Sequence, residues 1–396
     1  MKEKEEVKML SKQQMLDRSN HRGNESENSV DWLQQRAWVE IDRSALAANI
    51  RQLKTLLSPK TALMAVVKAD AYGHGAITVS QTVLEAGANW LGVATLPEGI
   101  ELRQAGISAP ILILGATYTP EQIRALIRWQ LQPTICTPKQ ALVFAEVLAE
   151  SGESLPVHLK IDTGMSRLGT PWQEAIEFVR MVAGLGQMNI ASVYSHFATA
   201  DDRDHTVMQQ QHDRFQQVLS QIQSAGIPIP RRHIANSAAT LTDSQLHYDM
   251  VRVGLAVYGL YPAEHLQGAI DLRPVLQVKA RVTQVKTIPA GMGVSYGYKF
   301  VARQPTRIAV VGIGYADGVP RNLSTQLKVI LRNRLVPQIG AITMDQLMLD
   351  VSAIPDLEVG EVVTLLGKQG TQTISADDWA ATLGTISWEI LCGFKH

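Results

Sequence analysis

A lysine and a tyrosine four residues apart follow an apolar run in the segment AVVKADAYGHG, residues 65–75. A lysine at the end of a strand is usually a solvated charge, and Lys68 taken alone would be one. A buried lysine amine can, however, act as a base or bind a carbonyl carbon covalently. The nearby phenol of Tyr72 and the Gly-His-Gly sequence make Lys68 a candidate functional residue. The positions of the other polar residues decide between these interpretations.

Further polar residues fall at the ends of predicted strands. Barrel enzymes gather their functional side chains at the C-terminal ends of the strands. This sequence repeats that placement: Arg167 follows the strand 156–162, His196 ends the strand 191–197, Asn236 and Ser237 lie at the end of 232–236, and Arg252 lies within 250–255. We therefore expect these side chains to meet Lys68 in one site.

The segment PVHLKID, residues 156–162, predicts a strand with one apolar and one polar face. The alternation places Val157, Leu159 and Ile161 on the first face and His158, Lys160 and Asp162 on the second. Both faces of a barrel strand are buried, and a charged inner face is costly unless it is paired. Two interpretations stay open: a structural ion network inside the barrel, or the floor of a site that positions Arg167.

The turns after the last two predicted strands, ANSAAT and RVGLAVYG, indicate a phosphate site. Barrels commonly bind phosphate at these two loops. The Ser237 hydroxyl and the backbone N–H groups of Gly254 and Leu255 are the candidate donors. A phosphate there, across the barrel mouth from Lys68, suggests pyridoxal phosphate held by the lysine as a Schiff base.

A repeating pattern of short apolar strands and amphipathic helices would position these residues. Eight predicted strands alternate with helix-sized segments, at 62–67, 90–94, 111–115, 133–136, 156–162, 191–197, 232–236 and 250–255. This pattern predicts a (β/α)8 barrel of the TIM type over residues 37–270. A doubly wound sheet is the alternative, although no GxGxxG sequence follows the first strand.

From about residue 271 the sequence alternates with period two, which predicts a mostly antiparallel β domain over 271–396. The early segment WVEI, within residues 38–42, is a strand that is expected to pair with this domain. Two short helices are expected at the end, in SADDWAATLG and TISWEILCGF. Ser375 is the expected N-cap of the first.

Composition excludes several classes of function. The 396 residues contain 45% hydrophobic and 19% charged residues, and Lys+Arg and Asp+Glu balance at 37 each, so a nucleic-acid or membrane surface is not expected. The two cysteines form no zinc or disulfide framework, and a reducing cytoplasm is the expected compartment. DDRDH, residues 201–205, predicts a loop and helix start rather than a metal site. Residues 1–36 predict a disordered extension.

Several motifs taken together resemble the alanine racemases, a family of pyridoxal phosphate-dependent enzymes with a barrel and a β domain. They are AVVKADAYGHG, LKIDTGMSRLG, VYSHFATAD, HIANSAA, MVRVGLAVYGL, VSYGY, GIGYADG and ITMDQLMLD, and the resemblance spans Trp38 to Phe394. It implies interconversion of L- and D-alanine, which supplies D-alanine for peptidoglycan. It also implies a head-to-tail homodimer in which each subunit completes the other's site.

The resemblance also implies residue roles. Lys68 would bind the cofactor and act as one catalytic base, and Tyr296 would be the second. Cofactor contacts would come from Tyr72, His196, Asn236, Ser237, Arg252, Gly254 and Leu255, with Arg252 facing the pyridine nitrogen. Arg167 and Met344 would hold the substrate carboxylate, supported by Lys160, Asp345 and Tyr315. Lys160 is often carbamylated in this family, and as a carbamate it would orient Arg167. Relatives also continue past CGFKH with a tail whose tyrosine commonly contacts the cofactor phosphate, so one contact is expected to be missing.

The chemistry of racemisation makes these residue types sensible. The Cα proton must leave on one face and return on the other, so two bases are required, and their ordinary pKa values near 10 must be tuned. We expect a chain from Arg252 through His196 to Tyr296 to favour the phenolate. An arginine at the pyridine nitrogen should leave it unprotonated and keep the carbanion short-lived.

Three alternatives differ in testable ways. A decarboxylase of the same architecture usually carries an acid at the pyridine nitrogen and a glycine-rich phosphate loop. This sequence has Arg252 and the turn ANSAA at those places, which opposes a decarboxylase. A racemase of broader specificity, for example for serine, is not distinguished by the sequence. A non-enzymatic pyridoxal phosphate carrier would need no second domain bearing Tyr296.

Overall fold

The barrel is built from the apolar runs that the sequence predicted as strands. A computed structural model describes residues 36–394, and the predicted extension 1–36 lies outside these apart from Arg36. The eight barrel strands are Ala62–Val66, Trp90–Val93, Ile111–Ala116, Gln132–Ile135, Leu155–Asp162, Met188–Tyr194, Arg232–His233 and Met250–Val253. They are parallel neighbours in chain order, and the last pairs with the first. A two-residue strand, Thr170–Pro171, pairs with the fifth.

Two backbone hydrogen bonds join the seventh and eighth strand regions. Arg252 N–H donates to Ala235 O, and Asp249 N–H donates to Arg232 O. The sheet therefore returns on itself, which confirms the barrel and excludes the doubly wound alternative.

One helix precedes the first barrel strand, the others follow the strands, and several begin at residues that favour helix starts. They are Arg43–Thr55, Ala76–Glu85, Leu96–Gln104, Pro120–Arg128, Pro138–Ser151, Ala175–Ala183, Thr206–Ser224 and Ser237–Thr242. Thr119 and Thr137 cap their helices by accepting from Gln122 N–H and Gln140 N–H, each with a proline at the first helical position. Asp204 accepts from the Thr206 N–H and hydroxyl at the start of its helix, so segment 201–205 is the loop and helix start that was predicted.

Two predicted strand ends were wrong by three residues, and the eighth strand ends at Val253 rather than at residue 255. The sixth strand ends at Tyr194 rather than at residue 197, so His196 lies two residues beyond it. The seventh ends at His233 rather than at residue 236. There the Asn236 side chain accepts from Ala239 N–H and caps the helix that Ser237 begins. Side-chain capping by asparagine competes with strand pairing, which explains the early end.

The C-terminal region is an antiparallel sheet. Its strands are Leu276–Ile288, Thr306–Val311, Lys328–Leu331, Arg334–Ile339, Leu347–Asp350, Val362–Gln369 and Gln372–Ile374, with Ala37–Ile41 paired antiparallel to the first. Burial alternates residue by residue from Leu276 to Val282, as the period-two pattern predicts. A small separate hairpin joins Gly293–Val294 to Phe300–Val301.

Two short helices, Ala376–Leu383 and Ser387–Cys392, follow the sheet. Ser375 accepts from Asp378 N–H and the Asp378 carboxylate accepts from Ser375 N–H, which confirms the predicted N-cap. Within residues 36–394, no helix combines the length and apolarity that crossing a bilayer requires.

Candidate active site

A cavity of about 550 Å³ opens at the C-terminal ends of the barrel strands. Ten residues singled out in the sequence line it: Lys68, Tyr72, Lys160, Arg167, His196, Asn236, Ser237, Arg252, Gly254 and Leu255. We call it the barrel cavity. Residues that are far apart in sequence thus meet in one place, as expected for side chains carried at the same end of a parallel barrel.

A left-handed turn fixes Lys68 and Tyr72 in the barrel cavity. The residues from Ala69 to Tyr72 all have φ between 51° and 56°. L-residues disfavour this conformation by about 1–2 kcal/mol each, so surrounding contacts must impose it. Ala69 N–H donates to Glu98 Oε1 at 2.7 Å, and Ala76 N–H donates to Asp70 Oδ1 at 2.6 Å. The turn brings an amine and a phenol to the same wall.

The Glu98 side chain connects this turn to the end of the next barrel strand. Its removal should destabilise the protein and make the turn less ordered. Its carboxylate accepts from the N–H groups of Ala69, Ala94 and Thr95. We expect Glu98→Ala to lower the free energy of unfolding by about 2 kcal/mol and to weaken cofactor retention. Urea titration and dialysis of the loaded protein measure the two effects. Glu101→Ala, an exposed change on the same helix, is the control; equal losses in both variants would contradict the assignment.

The C-terminal helix packs against the other side of the turn. A Cβ on Gly73 would lie 2.5 Å from the carbonyl oxygens of Leu391 and Phe394, so only glycine fits there. Cys392, on the same helix, lines the barrel cavity. Sequence reasoning missed this wall of the site, and no motif in the chain indicates it.

Burial, followed by the charge of Arg167, lowers the pKa of Lys68 and raises its neutral fraction.

Gly254, Ser237 and Tyr72 lie together at one corner of the barrel cavity, where the sequence predicts a phosphate site. Ser237 Oγ accepts from Gly254 N–H at 3.0 Å. A Cβ on Gly254 would lie 2.6 Å from Tyr72 Oη, so glycine lets the phenol approach the backbone. Burial raises the pKa of Tyr72, which keeps its hydroxyl a neutral donor. Two hydroxyls beside a backbone segment that carries no side chain at Gly254 suit a phosphate group. With Lys68 in the same cavity, these groups fit pyridoxal phosphate.

Arg252 is buried and is held by neutral acceptors. Its Nη1 donates to His233 Nδ1 at 2.8 Å, and its Nη2 donates to His196 Nδ1 at 3.0 Å. The same Nη2 also donates to the carbonyl oxygens of Ser195 and Ile234. Burial lowers the pKa of Arg252 to about 10, which leaves it charged at neutral pH. Nη2 and one hydrogen of Nη1 are engaged, and Nε–H has no acceptor among the described residues, so Nε–H can donate to a ring nitrogen.

The inner face of the fifth strand carries no ion network in residues 36–394. His158 is hydrogen-bonded to Ser192 and Gln132, and the Lys160 amine lies 4.4 Å from the ring centre of Tyr194. Asp162, at the strand end, accepts from the N–H groups of Gly164 and Ser166 in the loop that carries Arg167. The ion-network interpretation is therefore wrong, and the strand end shapes the Arg167 loop.

Lys160 should make stability depend on pH. Burial, then the Arg252 charge, lowers its pKa to about 7. Between pH 7 and 10 the unfolded chain binds a proton that the folded protein does not, so stability rises with pH across this window. We expect Lys160→Met to be more stable than the parent by several kcal/mol at pH 7 and by little at pH 10.

Urea titrations in bicarbonate-free buffer, where the amine stays unmodified, measure the difference. Lys54→Met, at an exposed lysine, is the matched control. A Lys160→Met advantage that is independent of pH would contradict the lowered pKa.

The remaining predicted residues lie on the C-terminal sheet and do not line the barrel cavity. Tyr296 is 71% exposed and lines a separate cavity of about 1090 Å³. Met344, Asp345 and Tyr315 are also exposed. The loops of Tyr315 and Met344 are joined where Ala316 N–H donates to Met344 O. Within one chain, Arg252 therefore reaches His196, as predicted, but the predicted continuation to Tyr296 is not made.

Comparison with known proteins covers both parts of the chain. Residues 41–262 match the family profile described as alanine racemase, N-terminal domain, and residues 275–396 match alanine racemase, C-terminal domain. An alanine racemase from a Nostoc species is 66% identical over 92% of this chain and 95% of its own length. One from a Synechocystis species is 61% identical over 92% of this chain and 98% of its own.

Solved structures agree with this. An alanine racemase from Clostridium difficile is 34% identical, with a TM-score of 0.86 over 91% of this chain and 93% of that one. One from Bartonella henselae with covalently bound pyridoxal phosphate is 29% identical, with a TM-score of 0.82 over 91% of this chain and 98% of that one. The barrel and the antiparallel sheet thus occur together in known alanine racemases. The chain belongs to the alanine racemase family of pyridoxal phosphate-dependent isomerases.

Proposed function

We propose that this protein interconverts L-alanine and D-alanine with pyridoxal phosphate bound in the barrel cavity. The observation that carries the proposal is the convergence of Lys68, the Tyr72–Ser237–Gly254 corner and Arg252 in that one cavity. Membership of the alanine racemase family supports the same substrate. The product serves peptidoglycan synthesis, and the cytoplasm is the proposed compartment.

The residues of the cavity have distinct parts in holding the cofactor. Lys68 Nζ would hold its carbonyl carbon, the hydroxyls of Tyr72 and Ser237 with the backbone at Gly254 and Leu255 would hold its phosphate, and Arg252 Nε would face its ring nitrogen. His196 and Asn236 support these contacts: His196 accepts from Arg252, and Asn236 caps the helix that carries Ser237. When bound, pyridoxal phosphate supplies the electron sink that makes the Cα–H of an amino acid acidic.

Two bases move the proton. Lys68, whose pKa is lowered, takes or returns it on one face of the bound substrate. The phenols of Tyr72 and Tyr194 also line the cavity, but burial raises the pKa of both, so neither suits a phenolate base. We assign the opposite face to Tyr296 of a second copy of the chain, whose hydroxyl is exposed on the C-terminal sheet.

The proposed assembly is a head-to-tail homodimer. Each sheet domain would present Tyr296 and Met344 to the barrel cavity of the other copy. Arg167 and Met344 would then hold the substrate carboxylate, with Lys160, as a carbamate, orienting Arg167. Asp345 and Tyr315 lie in the loops beside Met344 and would support it.

The alternatives are weaker but testable. No acidic residue is hydrogen-bonded to Arg252 or stands in its place among the described residues, which opposes the decarboxylase. A carrier would not need the exposed phenol of Tyr296. A broader racemase acting on serine remains the second candidate, because a cavity of about 550 Å³ accepts a hydroxymethyl group as readily as a methyl group.

Optical rotation of pure L-alanine tests the proposal. The loaded protein should bring the rotation to zero, and D-alanine should reach the same end point. Serine in place of alanine tests the broader racemase, and release of carbon dioxide tests the decarboxylase. A rotation that stays constant with both amino acids would refute the proposed function.

A further inference from the structure

A continuous chain of hydrogen bonds runs inside the barrel from Arg252 to Gln132. Arg252 Nη1 contacts His233 Nδ1 at 2.8 Å, and His233 Nε2 contacts Ser192 Oγ at 2.9 Å. Ser192 Oγ contacts His158 Nδ1 at 2.6 Å, and His158 Nε2 contacts Gln132 Oε1 at 2.8 Å. Five neighbouring strands of the barrel thus contribute one residue each. The three middle residues are fully buried.

The direction of every bond in this chain follows from its first member. A guanidinium only donates, so His233 Nδ1 must accept and cannot carry a proton. His233 therefore carries its proton on Nε2 and donates to Ser192 Oγ. The Ser192 hydroxyl hydrogen has no other acceptor among the described residues than His158 Nδ1. His158 is then protonated on Nε2 as well and donates to the amide oxygen of Gln132.

The charges around the two imidazoles agree with a neutral chain. The ionisable groups that face them are Arg252, Lys160 and Arg231, whose protonated forms are all cations. His233 stacks on Tyr194 with ring centres 4.7 Å apart, and His158 meets the edge of Trp90. Burial lowers the pKa of His158 to about 3 and that of His233 well below its usual value. Neither ring gains a proton near neutral pH.

We propose that this one-way chain positions Arg252: it locks His233 and His158 as neutral Nε2–H tautomers and so presents a fixed acceptor to the guanidinium. Ser192 is the link that transmits the direction, because its single hydrogen can serve only one of the two rings. Ser192, His158 and Gln132 are positioning residues that act through Arg252. The catalytic consequence rests on the proposed function, whereas the tautomers do not.

The tautomers are measured by ¹⁵N NMR of the loaded enzyme labelled at histidine, with ring signals assigned from single His158→Gln and His233→Gln variants. Both rings should show a protonated Nε2 and a bare Nδ1 from pH 6 to 9. Ser192→Ala should remove the preference at His158, whereas His233 should keep a protonated Nε2 because its Nδ1 still accepts from Arg252. Ser192→Thr, which keeps the hydroxyl, should retain the preference at both rings. Ser80→Ala is the matched control, since Ser80 is equally buried and its hydroxyl has no partner among the described residues.

Kinetics test the positioning role. Ser192→Ala removes both hydrogen bonds of the hydroxyl, and a resulting loss of about 1 kcal/mol in the positioning of Arg252 should lower kcat about fivefold. The KM for alanine should change less, and Ser192→Thr should recover the rate. If the added methyl group prevents folding, Gln132→Leu serves instead: it removes only the last acceptor and leaves the Ser192 hydroxyl on His158 Nδ1, so both tautomers should be kept and kcat should fall less than in Ser192→Ala.

Three results would overturn the inference. They are a charged or Nδ1-protonated ring in the parent, ring signals unchanged in Ser192→Ala, and a kcat unchanged in Ser192→Ala. Failure of the protein to racemise alanine would leave the tautomer measurement intact, so the two proposals fail separately.

Discussion

Lys68→Ala is expected to abolish racemisation from both L- and D-alanine, by about a thousandfold or more. The substitution removes the one amine that is placed, by the left-handed turn, beside the Tyr72 corner. It takes away both the covalent hold on the cofactor and the base on one face. Optical rotation measures the activity, and absorbance of the protein after gel filtration measures retained cofactor.

Lys60→Ala is the matched control, because this lysine is exposed and does not line the barrel cavity. Stability measured by urea titration should be unchanged or raised in Lys68→Ala, since a buried amine is removed. A Lys68→Ala protein that still racemises alanine at a tenth of the parent rate would refute the central role of this residue.

Tyr296→Phe is expected to lower racemisation about 10²- to 10⁴-fold while leaving cofactor binding intact. The phenol does not line the barrel cavity of its own chain, so the loss can only come through a second copy. This makes a mixing experiment decisive. When Lys68→Ala and Tyr296→Phe chains exchange subunits, each mixed dimer contains one site with both native residues and one with neither.

At equal amounts, half of the dimers are mixed, and activity should return to about a quarter of the parent value. Tyr298→Phe, an exposed phenol on the same loop, is the control for surface effects. If mixing restores nothing although subunits exchange, the two residues do not meet across an interface. Substantial activity in both directions in Tyr296→Phe alone would remove this residue from its assigned role.

The barrel could be predicted because its strands and helices follow a local pattern. Apolar runs separated by capped helices identify the elements even where the ends are wrong. The end near His196 was misplaced for a physical reason: Ser195 N–H still donates to His233 O, so hydrogen bonding continues beyond the regular strand. Polar residues at strand ends located the cavity because a parallel barrel carries those ends to one side.

The left-handed turn could not be predicted, because nothing local requires it. Ala69 and Ala71 favour a right-handed helix when considered alone. Their conformation depends on Glu98, on the next barrel helix, and on the packing of Gly73 against Leu391. These are long-range contacts that no short window of sequence contains. The place of Tyr296 was beyond sequence reasoning for a related reason, since its expected partner is on another molecule.

The contact between Gly73 and the helix Ser387–Cys392 has a consequence for biosynthesis. The helix that forms one wall of the lysine turn is translated about 300 residues after the turn itself. A nascent chain can form much of the barrel before that helix is made. The turn cannot reach its final packing until the helix has been translated. Stable loading with cofactor is therefore expected only after that helix has been made.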